Sequence, residues 1–214
     1  MLVKICGLRS RGDFAAAASA GAAYGGLVFY PPSPRNVTLA DARWIARELP
    51  ERLAVVALTV DATDVELEAI VEAAPIDMLQ LHGSESPERA AEVRARFGKP
   101  VMKAVGVAEE GDLDGLSDYA GAVDQFLIDA RPPRGAELPG GNGVAFDWRL
   151  IQGRRWPAPW MLAGGLTPEN VAEAVRLTGA EQVDVSSGVE WSRGLKDPER
   201  MHAFVAAAKG RAAA

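Results

Sequence analysis

The strongest constraint on the fold is a regular alternation between two kinds of segment along the chain. Short runs rich in β-branched and apolar residues predict strands at 3–6, 26–30, 54–60, 78–82, 101–107, 126–129, 161–163 and 182–186. Stretches rich in Ala, Glu and Arg predict helices at 13–20, 39–49, 65–74, 87–97, 168–177 and 198–208. Strands that alternate with helices in this way pair in parallel, because each crossover helix returns the chain to the same end of the sheet.

The number of repeats favours one particular α/β architecture. Eight of them within 214 residues predict one domain, a single (βα)8 TIM barrel over residues 1–214. A doubly wound open sheet is the alternative, although no glycine-rich dinucleotide fingerprint follows the first strand. Two connections are weak, since 110–123 predicts only a short or irregular helix and 146–152 is barely two turns long. The apolar-poor segment 131–143 predicts a long, mobile loop lying over another part of the molecule.

Three predicted helices carry the same entry signal. Each has an N-cap residue, then proline, then an acid in the first turn. Because proline is tolerated at the first helical position, we expect helices to begin at the proline of each triplet: Ser86-Pro87-Glu88, Thr167-Pro168-Glu169 and Asp197-Pro198-Glu199.

Charge and composition argue against several classes of function. The formal net charge of -6 argues against a nucleic-acid partner. We expect no membrane association, since no run of about 18 apolar residues is present and the N-terminus lacks a basic leader. The single cysteine, Cys6, cannot form an intramolecular disulfide, which predicts a cytoplasmic protein. With two histidines and one cysteine, we also expect no metal site.

Polar residues lie near the carboxyl ends of several predicted strands, on the side that faces the interior of a barrel. Barrel enzymes hold their catalytic groups at this end, so we expect these side chains to meet at one mouth. Lys4 and Gln80 could equally fill a polar interior layer, and a lone cysteine is more often buried and inert. The residues are Lys4 and Cys6 on the first strand, Gln80 and His82 on the fourth, Asp129 on the sixth, and Asp184 and Ser186 on the eighth.

Two segments rich in glycine and serine follow the last two predicted strands. Gly164 and Gly165 end the seventh strand, and Ser186, Ser187 and Gly188 end the eighth. Glycine lets backbone N–H groups approach phosphate oxygens closely, and serine hydroxyls add donors. Either segment alone could be a simple turn. Together they predict a phosphate site at the carboxyl ends of strands seven and eight, and hence a phosphorylated small-molecule substrate.

A set of motifs that runs from the first strand to the last resembles the phosphoribosylanthranilate isomerase family. The resemblance implies a (βα)8 barrel and an aldose-ketose isomerase of L-tryptophan biosynthesis that needs no cofactor. The reaction implied is the Amadori rearrangement of N-(5-phosphoribosyl)anthranilate to 1-(2-carboxyphenylamino)-1-deoxyribulose 5-phosphate. The motifs are Lys4-Ile5-Cys6-Gly7, Phe29-Tyr30 leading into Ser33-Pro34-Arg35, Gln80-Leu81-His82-Gly83, Gly164-Gly165-Leu166 through Glu169-Asn170-Val171, and Asp184-Val185-Ser186-Ser187-Gly188-Val189-Glu190.

The same resemblance implies roles for individual residues. Asp129 would be the acid that opens the ribose ring, and Cys6 the base that removes the proton from C2 of the sugar. Arg35 would bind the anthranilate carboxylate, while His82 and Asp184 would line the pocket. His82 could equally be a packing residue. Arg9 and Asn142 stand where the family usually has threonine, and both departures affect loops that cover the substrate.

Two other functions remain open at this stage. One is another phosphosugar isomerase or epimerase barrel, although epimerases of this shape usually need metal-binding histidines, which are scarce here. The related histidine-pathway isomerase has an aspartate where this chain has Cys6. The other is a non-catalytic module that binds a phosphorylated ligand, which would have no use for Cys6 paired with Asp129. The oligomeric state, monomer or homodimer, is also open.

Overall fold

The computed structural model describes residues 1–131, 140–141, 143 and 145–210. Within this part of the chain, eight parallel strands close into a barrel in the order of the sequence. The first strand pairs with the eighth, with Lys4 opposite Asp184. The predicted barrel is confirmed, and the open sheet is excluded. The strands are β1 (Leu2–Cys6), β2 (Tyr24–Phe29), β3 (Ala54–Thr59), β4 (Met78–Leu81), β5 (Val101–Val107), β6 (Gln125–Ala130), β7 (Trp160–Leu162) and β8 (Gln182–Val185).

Helical segments connect successive strands around the outside of the barrel. Side-chain caps define where they begin: Thr63, for example, accepts from the backbone of Glu66, whose carboxylate accepts from the backbone of Thr63. The α-helices are α1 (Arg11–Ala20), α2 (Leu39–Ile45), α3 (Asp64–Ala73), α4 (Pro87–Phe97), α5 (Val171–Thr178) and α6 (Pro198–Ala208). Shorter 3-10 helices cover Ala46–Glu48, Glu110–Tyr119, Trp148–Ile151 and Ser187–Val189.

The connections that the sequence marks as weak are 3-10 helices in the structure, at Glu110–Tyr119 and Trp148–Ile151. Repeated Gly and Asp in the first of them disfavour a regular α-helix. The predicted loop 131–143, including Asn142, lies mostly outside the described residues.

One predicted helix start is wrong. The helix expected at Pro168 begins at Val171. The Asn170 side chain accepts from the backbone N–H of Thr167 at 2.7 Å and donates to Gly165 O at 2.9 Å. These bonds hold 167–170 in a turn, because a short polar side chain offers the backbone an alternative to helical bonding.

A short antiparallel hairpin follows β8 and was not predicted. It consists of β9 (Glu190–Ser192) and β10 (Leu195–Lys196). Strands of two or three residues are too short to show the alternation from which a strand is recognised in a sequence. The hairpin places Glu190 and Lys196 beside the carboxyl end of β8.

The core has an outer layer between strands and helices and a smaller layer inside the barrel. Inside, Met102, Leu127 and Met161 are fully buried. Cys6 packs with Val28 and Leu58 closer to the carboxyl ends of the strands. The inward-facing polar groups of β1, β4, β6 and β8 therefore lie above an apolar layer. No helix in the described ranges is long and apolar enough to span a bilayer.

Candidate active site

An open cavity with about 820 Å³ of empty volume lies at the carboxyl ends of the strands. The structure brings together at this cavity nearly all the residues predicted from the sequence: Cys6, Arg35, His82, Asp129, Gly164, Gly165, Asp184, Ser186 and Ser187.

Gly188 is the exception, because it lies just outside this cavity. It borders a shallower depression together with Ser187 and Arg200. A Cβ atom built on Gly188 would lie 2.0 Å from the backbone oxygen of Leu166. Gly188 therefore allows the loops after β7 and β8 to lie against each other.

Cys6 ends β1 and is a buried free thiol. Its backbone oxygen accepts from the Ser186 hydroxyl at 3.1 Å, which joins β1 to the end of β8. Burial raises the pKa of the Cys6 thiol above its ordinary value, and the Lys4 and Lys196 ammonium groups oppose this effect. The two lysines thus favour the thiolate that a base requires.

Asp129 is near the end of β6 and is 8% exposed. Its Oδ1 atom accepts from the backbone N–H of Ala130 at 2.8 Å. Burial and the nearby negative charge of Asp184 raise the pKa of the Asp129 carboxyl to about 7. A carboxyl group with this pKa is protonated in a large fraction of molecules at neutral pH, as a general acid must be.

His82 lies beside Asp129, with its Nε2 atom 3.6 Å from Asp129 Oδ2. The Gln80 amide donates to His82 Nδ1 at 3.0 Å, so a neutral His82 carries its proton on Nε2, toward the carboxyl group. A Cβ on Gly140 would lie 2.7 Å from His82 Nε2 and 3.0 Å from Asp129 Oδ2. The Gly140 backbone therefore covers this pair.

Lys4 and Gln80 make the interior polar contacts that were one of their two predicted roles. Lys4 is fully buried, and its Nζ atom lies 2.9 Å from Asp184 Oδ1. Gln80 contacts His82. Since Asp184 lines the cavity and Lys4 lowers the pKa of both Cys6 and Asp129, the ion pair also sets the electrostatic environment of the thiol and the carboxyl group.

The predicted phosphate loops have the geometry that requires glycine. Gly164 and Gly165 have φ angles of 84° and 63°, in the left-handed region. A Cβ on Gly164 would lie 2.6 Å from the backbone nitrogen of Ala130. The Ser186 and Ser187 side chains line the cavity on the neighbouring loop. This wall presents backbone and hydroxyl groups, which suit an anion.

Arg35 is buried in the cavity wall and pairs with a residue to which the sequence gave no role. Its Nε atom lies 2.7 Å from Glu190 Oε1, and Nη2 lies 3.0 Å from Glu190 Oε2. Lys196 Nζ lies 2.8 Å from Glu190 Oε1. Glu190 stands in one of the quoted motifs and could have been singled out there. Lys196 carries no such signal, because only the hairpin brings it to this site.

The described residues include no cluster of three or more His, Cys, Asp or Glu side chains placed to hold a metal ion.

Comparison with protein families identifies the kind of barrel that carries this cavity. A family model described as N-(5'-phosphoribosyl)anthranilate (PRA) isomerase matches residues 3–207. The chain belongs to this family. The resemblance seen in the motifs is confirmed, and the chain is an isomerase of the PRA isomerase family.

Individual PRA isomerases match over almost their whole length. The protein from Cereibacter sphaeroides is 68% identical over 207 residues, which cover 97% of this chain and 98% of that protein. The protein from Ruegeria sp. is 58% identical over 208 residues, or 97% of both chains.

Solved PRA isomerase structures share the fold. The Thermotoga maritima structure has a TM-score of 0.88 and 36% identity, covering 98% of this chain and 99% of that one. A structure in complex with reduced 1-(o-carboxyphenylamino)-1-deoxyribulose 5-phosphate has a TM-score of 0.85 and 34% identity, covering 98% and 100%. A third describes monomers made from the dimeric Thermotoga maritima enzyme, with a TM-score of 0.84, 35% identity and coverage of 98% and 100%.

Proposed function

We propose that this chain catalyses the Amadori rearrangement of N-(5-phosphoribosyl)anthranilate to 1-(2-carboxyphenylamino)-1-deoxyribulose 5-phosphate, with Cys6 as base and Asp129 as acid. The main support is that a thiol on β1 and a carboxyl group on β6, with a pKa of about 7, line the same cavity. Because β1 and β6 are not neighbours in the barrel, the two groups approach a bound ligand from different directions.

The first step opens the sugar ring. Asp129 donates its proton to the ring oxygen as the bond between C1 and that oxygen breaks. The lone pair of the anthranilate nitrogen forms a C=N bond to C1, which gives an iminium ion and leaves Asp129 as a carboxylate. The substrate's own nitrogen thus serves as the electron sink.

The second step replaces the C=N double bond with a C1=C2 double bond. The Cys6 thiolate removes the proton from C2, and the C–H electrons form a C1=C2 bond while the C=N electrons return to nitrogen. The resulting enolamine becomes the ketone when C1 gains a proton and the C2 hydroxyl loses one. The reaction neither consumes nor releases electrons, so Cys6 and Asp129 can complete it by proton transfer.

The other cavity residues are proposed to bind the substrate. Arg35 would bind the anthranilate carboxylate, because a guanidinium group matches a carboxylate in charge and geometry. His82 and Asp184 would line the sugar site beside Asp129. The two loops after β7 and β8 would bind the phosphate through Gly164, Gly165, Ser186, Ser187 and Gly188.

Loss of anthranilate fluorescence on substrate consumption tests the proposal directly. We expect turnover by the purified protein in the presence of a chelator. Cys6→Ala and Asp129→Asn should each lower kcat/KM by about 100- to 10,000-fold, the usual contribution of an acid or a base. Asp114→Asn, at an exposed aspartate that does not line the cavity, is the matched control and should behave as wild type.

Other outcomes would favour the competing functions. Equal rates in all variants would refute the roles of Cys6 and Asp129. Activity lost to the chelator would favour a metal-dependent epimerase. Tight binding of a phosphorylated ligand without turnover would favour the non-catalytic binding module.

The cellular setting and assembly state are also proposals. A single cysteine used as a free thiol suits the reducing cytoplasm. The chain is expected to be a monomer or a homodimer, which light scattering on the purified protein distinguishes.

A further inference from the structure

Three buried charged residues form a cluster at the cavity wall, and the mechanism above uses only one of them, Arg35. The Arg35–Glu190–Lys196 cluster joins the loop after β2 to the β9–β10 hairpin. Arg35 lines the cavity, whereas neither Glu190 nor Lys196 does. We propose that Glu190 is a positioning residue, which orients the Arg35 guanidinium toward the aromatic carboxylate of the substrate. This inference rests on the proposed function, in which Arg35 binds that carboxylate.

Glu190 holds one edge of the guanidinium group. The Nε and Nη2 atoms of Arg35 donate to the two carboxylate oxygens at 2.7 and 3.0 Å, which is the bidentate arrangement. Nη2 also donates to Gly141 O at 3.4 Å. In the described part of the chain, no acceptor is bonded to Nη1. Two of the three guanidinium nitrogens are therefore engaged by the protein, and the third remains for a ligand.

The free nitrogen points to the side of the cavity lined by Gly141. A Cβ on Gly141 would lie 2.6 Å from Arg35 Nη1. Both residues line the cavity. A bidentate bond on the opposite edge fixes the plane of the guanidinium group. Little side-chain entropy of Arg35 is therefore lost when Nη1 binds a carboxylate.

The stem of Arg35 is fixed by contact with the residue after the proposed base. Gly7 has a φ angle of 80°, and a Cβ there would lie 2.6 Å from Arg35 Cδ. The Arg35 stem therefore packs directly on the backbone of Gly7. This contact sets the position of the guanidinium group relative to Cys6.

Lys196 anchors Glu190 from behind. Its Nζ atom lies 2.8 Å from Glu190 Oε1 and donates to Ser186 O at 2.8 Å. The backbone N–H of Gly194 donates to the other oxygen, Glu190 Oε2, at 3.1 Å. With Arg35, three groups thus restrain the Glu190 carboxylate, which suits it to hold a partner in one orientation.

The Arg35–Glu190–Lys196 cluster carries an excess of positive charge that an anion would balance. Two cations surround one carboxylate, and the side chains of Arg35, Glu190 and Lys196 are only 4%, 4% and 1% exposed. Burial lowers the pKa of Lys196, and the nearby charge of Arg35 acts in the same direction. A buried excess of positive charge is costly, and an anionic ligand on Arg35 would relieve that cost.

The test compares two ligands that differ only in the carboxylate. They are reduced 1-(2-carboxyphenylamino)-1-deoxyribulose 5-phosphate and the same compound without its carboxyl group. Wild type should bind the first at least about tenfold more tightly, since hydrogen bonds between charged groups contribute this much. Glu190→Gln should reduce this preference by about tenfold and leave the Kd of the ligand without a carboxylate nearly unchanged.

A matched variant controls for the loss of a charged side chain. Glu68→Gln removes the same charge from an exposed ion pair with Arg96 at 2.5 Å, which joins α3 to α4 on the exterior of the barrel. It should keep the wild-type preference. Arg35→Lys should show the reduced preference by itself, and adding Glu190→Gln to it should have little further effect, because Glu190 acts through Arg35.

The possible failures are distinguishable. If Glu190→Gln weakens both ligands equally, Glu190 has only a structural role and the inference is wrong. If wild type binds neither ligand, the proposed function itself fails. Should Glu190→Gln not fold, Glu190→Asp keeps the charge on a shorter side chain. That variant should lose preference too, and an unchanged preference would overturn the inference.

Discussion

Burial changes the pKa of single residues at this site, and for Asp129 this change makes the stability of the fold depend on pH. The pKa of its carboxyl group is raised from 3.8 to about 7 in the folded chain. Between these values the folded chain keeps a proton that the unfolded chain has lost. The stabilisation from the protonated group is therefore fully present below about pH 4 and is lost as the pH rises through 7.

We expect Asp129→Asn to be more stable than wild type at pH 8, by up to about 4 kcal/mol at about 1.4 kcal/mol per pKa unit. The amide cannot ionise, so it avoids the cost of a buried charge. Urea unfolding of both proteins at pH 4, 6 and 8 measures the difference. The stabilities should nearly coincide at pH 4 and diverge as the pH rises. A difference that does not vary with pH would contradict the raised pKa.

The pKa values of the two residues proposed as acid and base also predict a pH profile. The pKa of Asp129 is about 7, and that of Cys6 is raised above its ordinary value, so the acid ionises before the base becomes a thiolate. We expect kcat/KM to rise with pH up to about 7 and then to level off. Above 7, the gain in thiolate is offset by loss of the protonated acid. Above the thiol pKa the rate should fall. Stopped assays in overlapping buffers measure this, and a single rising limb without a plateau would contradict it.

Among the elements, the loops after β7 and β8 depend on close backbone approach. We expect Gly188→Ala to destabilise the fold by about 1–3 kcal/mol, since its Cβ would meet Leu166 O at 2.0 Å and push the loops apart. KM should rise more than kcat falls, because the expected effect is on phosphate binding. Thermal unfolding and steady-state kinetics measure the two effects.

Gly115→Ala is the control for that prediction. Among the described residues, no atom outside its chain neighbours and its own helix backbone lies within 4 Å of a Cβ at Gly115. It should change neither stability nor KM appreciably. If Gly188→Ala behaves like this control, the loops do not require the contact.

Elements with a strong periodic pattern could be predicted from the sequence, and short ones could not. The strand that ends in Cys6 and the capped helix α4 follow from periodicity and entry signals. The start of α5 was wrong, because Thr167 and Asn170 bond locally. The β9–β10 hairpin was missed, and with it the partner of Arg35, since residues 155 positions apart in sequence are brought together only by the tertiary fold.

For the molecule as a whole, the ion pair between Lys4 and Asp184 lies where the first and last strands meet. We expect Lys4→Met to destabilise the barrel by about 3–5 kcal/mol, because it leaves Asp184 buried without its partner. Chemical denaturation gives the free energy of unfolding.

The double variant Lys4→Met with Asp184→Leu should recover much of that loss, since apolar residues of similar volume can replace a buried pair. A double variant no more stable than Lys4→Met alone would contradict this account.

The barrel and the cavity followed from the order of the strands, because a closed parallel barrel brings the carboxyl ends of all its strands together. The sequence could thus place Cys6 and Asp129 at one mouth. It could not give the pKa of either group, which depends on burial and on charges such as Lys4 and Asp184 contributed by other strands.

The pairing of β1 with β8 has a consequence for how the chain becomes active as it is synthesised. Cys6 is made well before Asp184, Ser186 and Lys196, which adjoin it or set its charge environment. A nascent or truncated chain that lacks β8 and the β9–β10 hairpin would carry the Cys6 thiol without these neighbours. We therefore expect catalytic activity to appear in one step, when β8 pairs with β1, and not to increase gradually as the chain is synthesised.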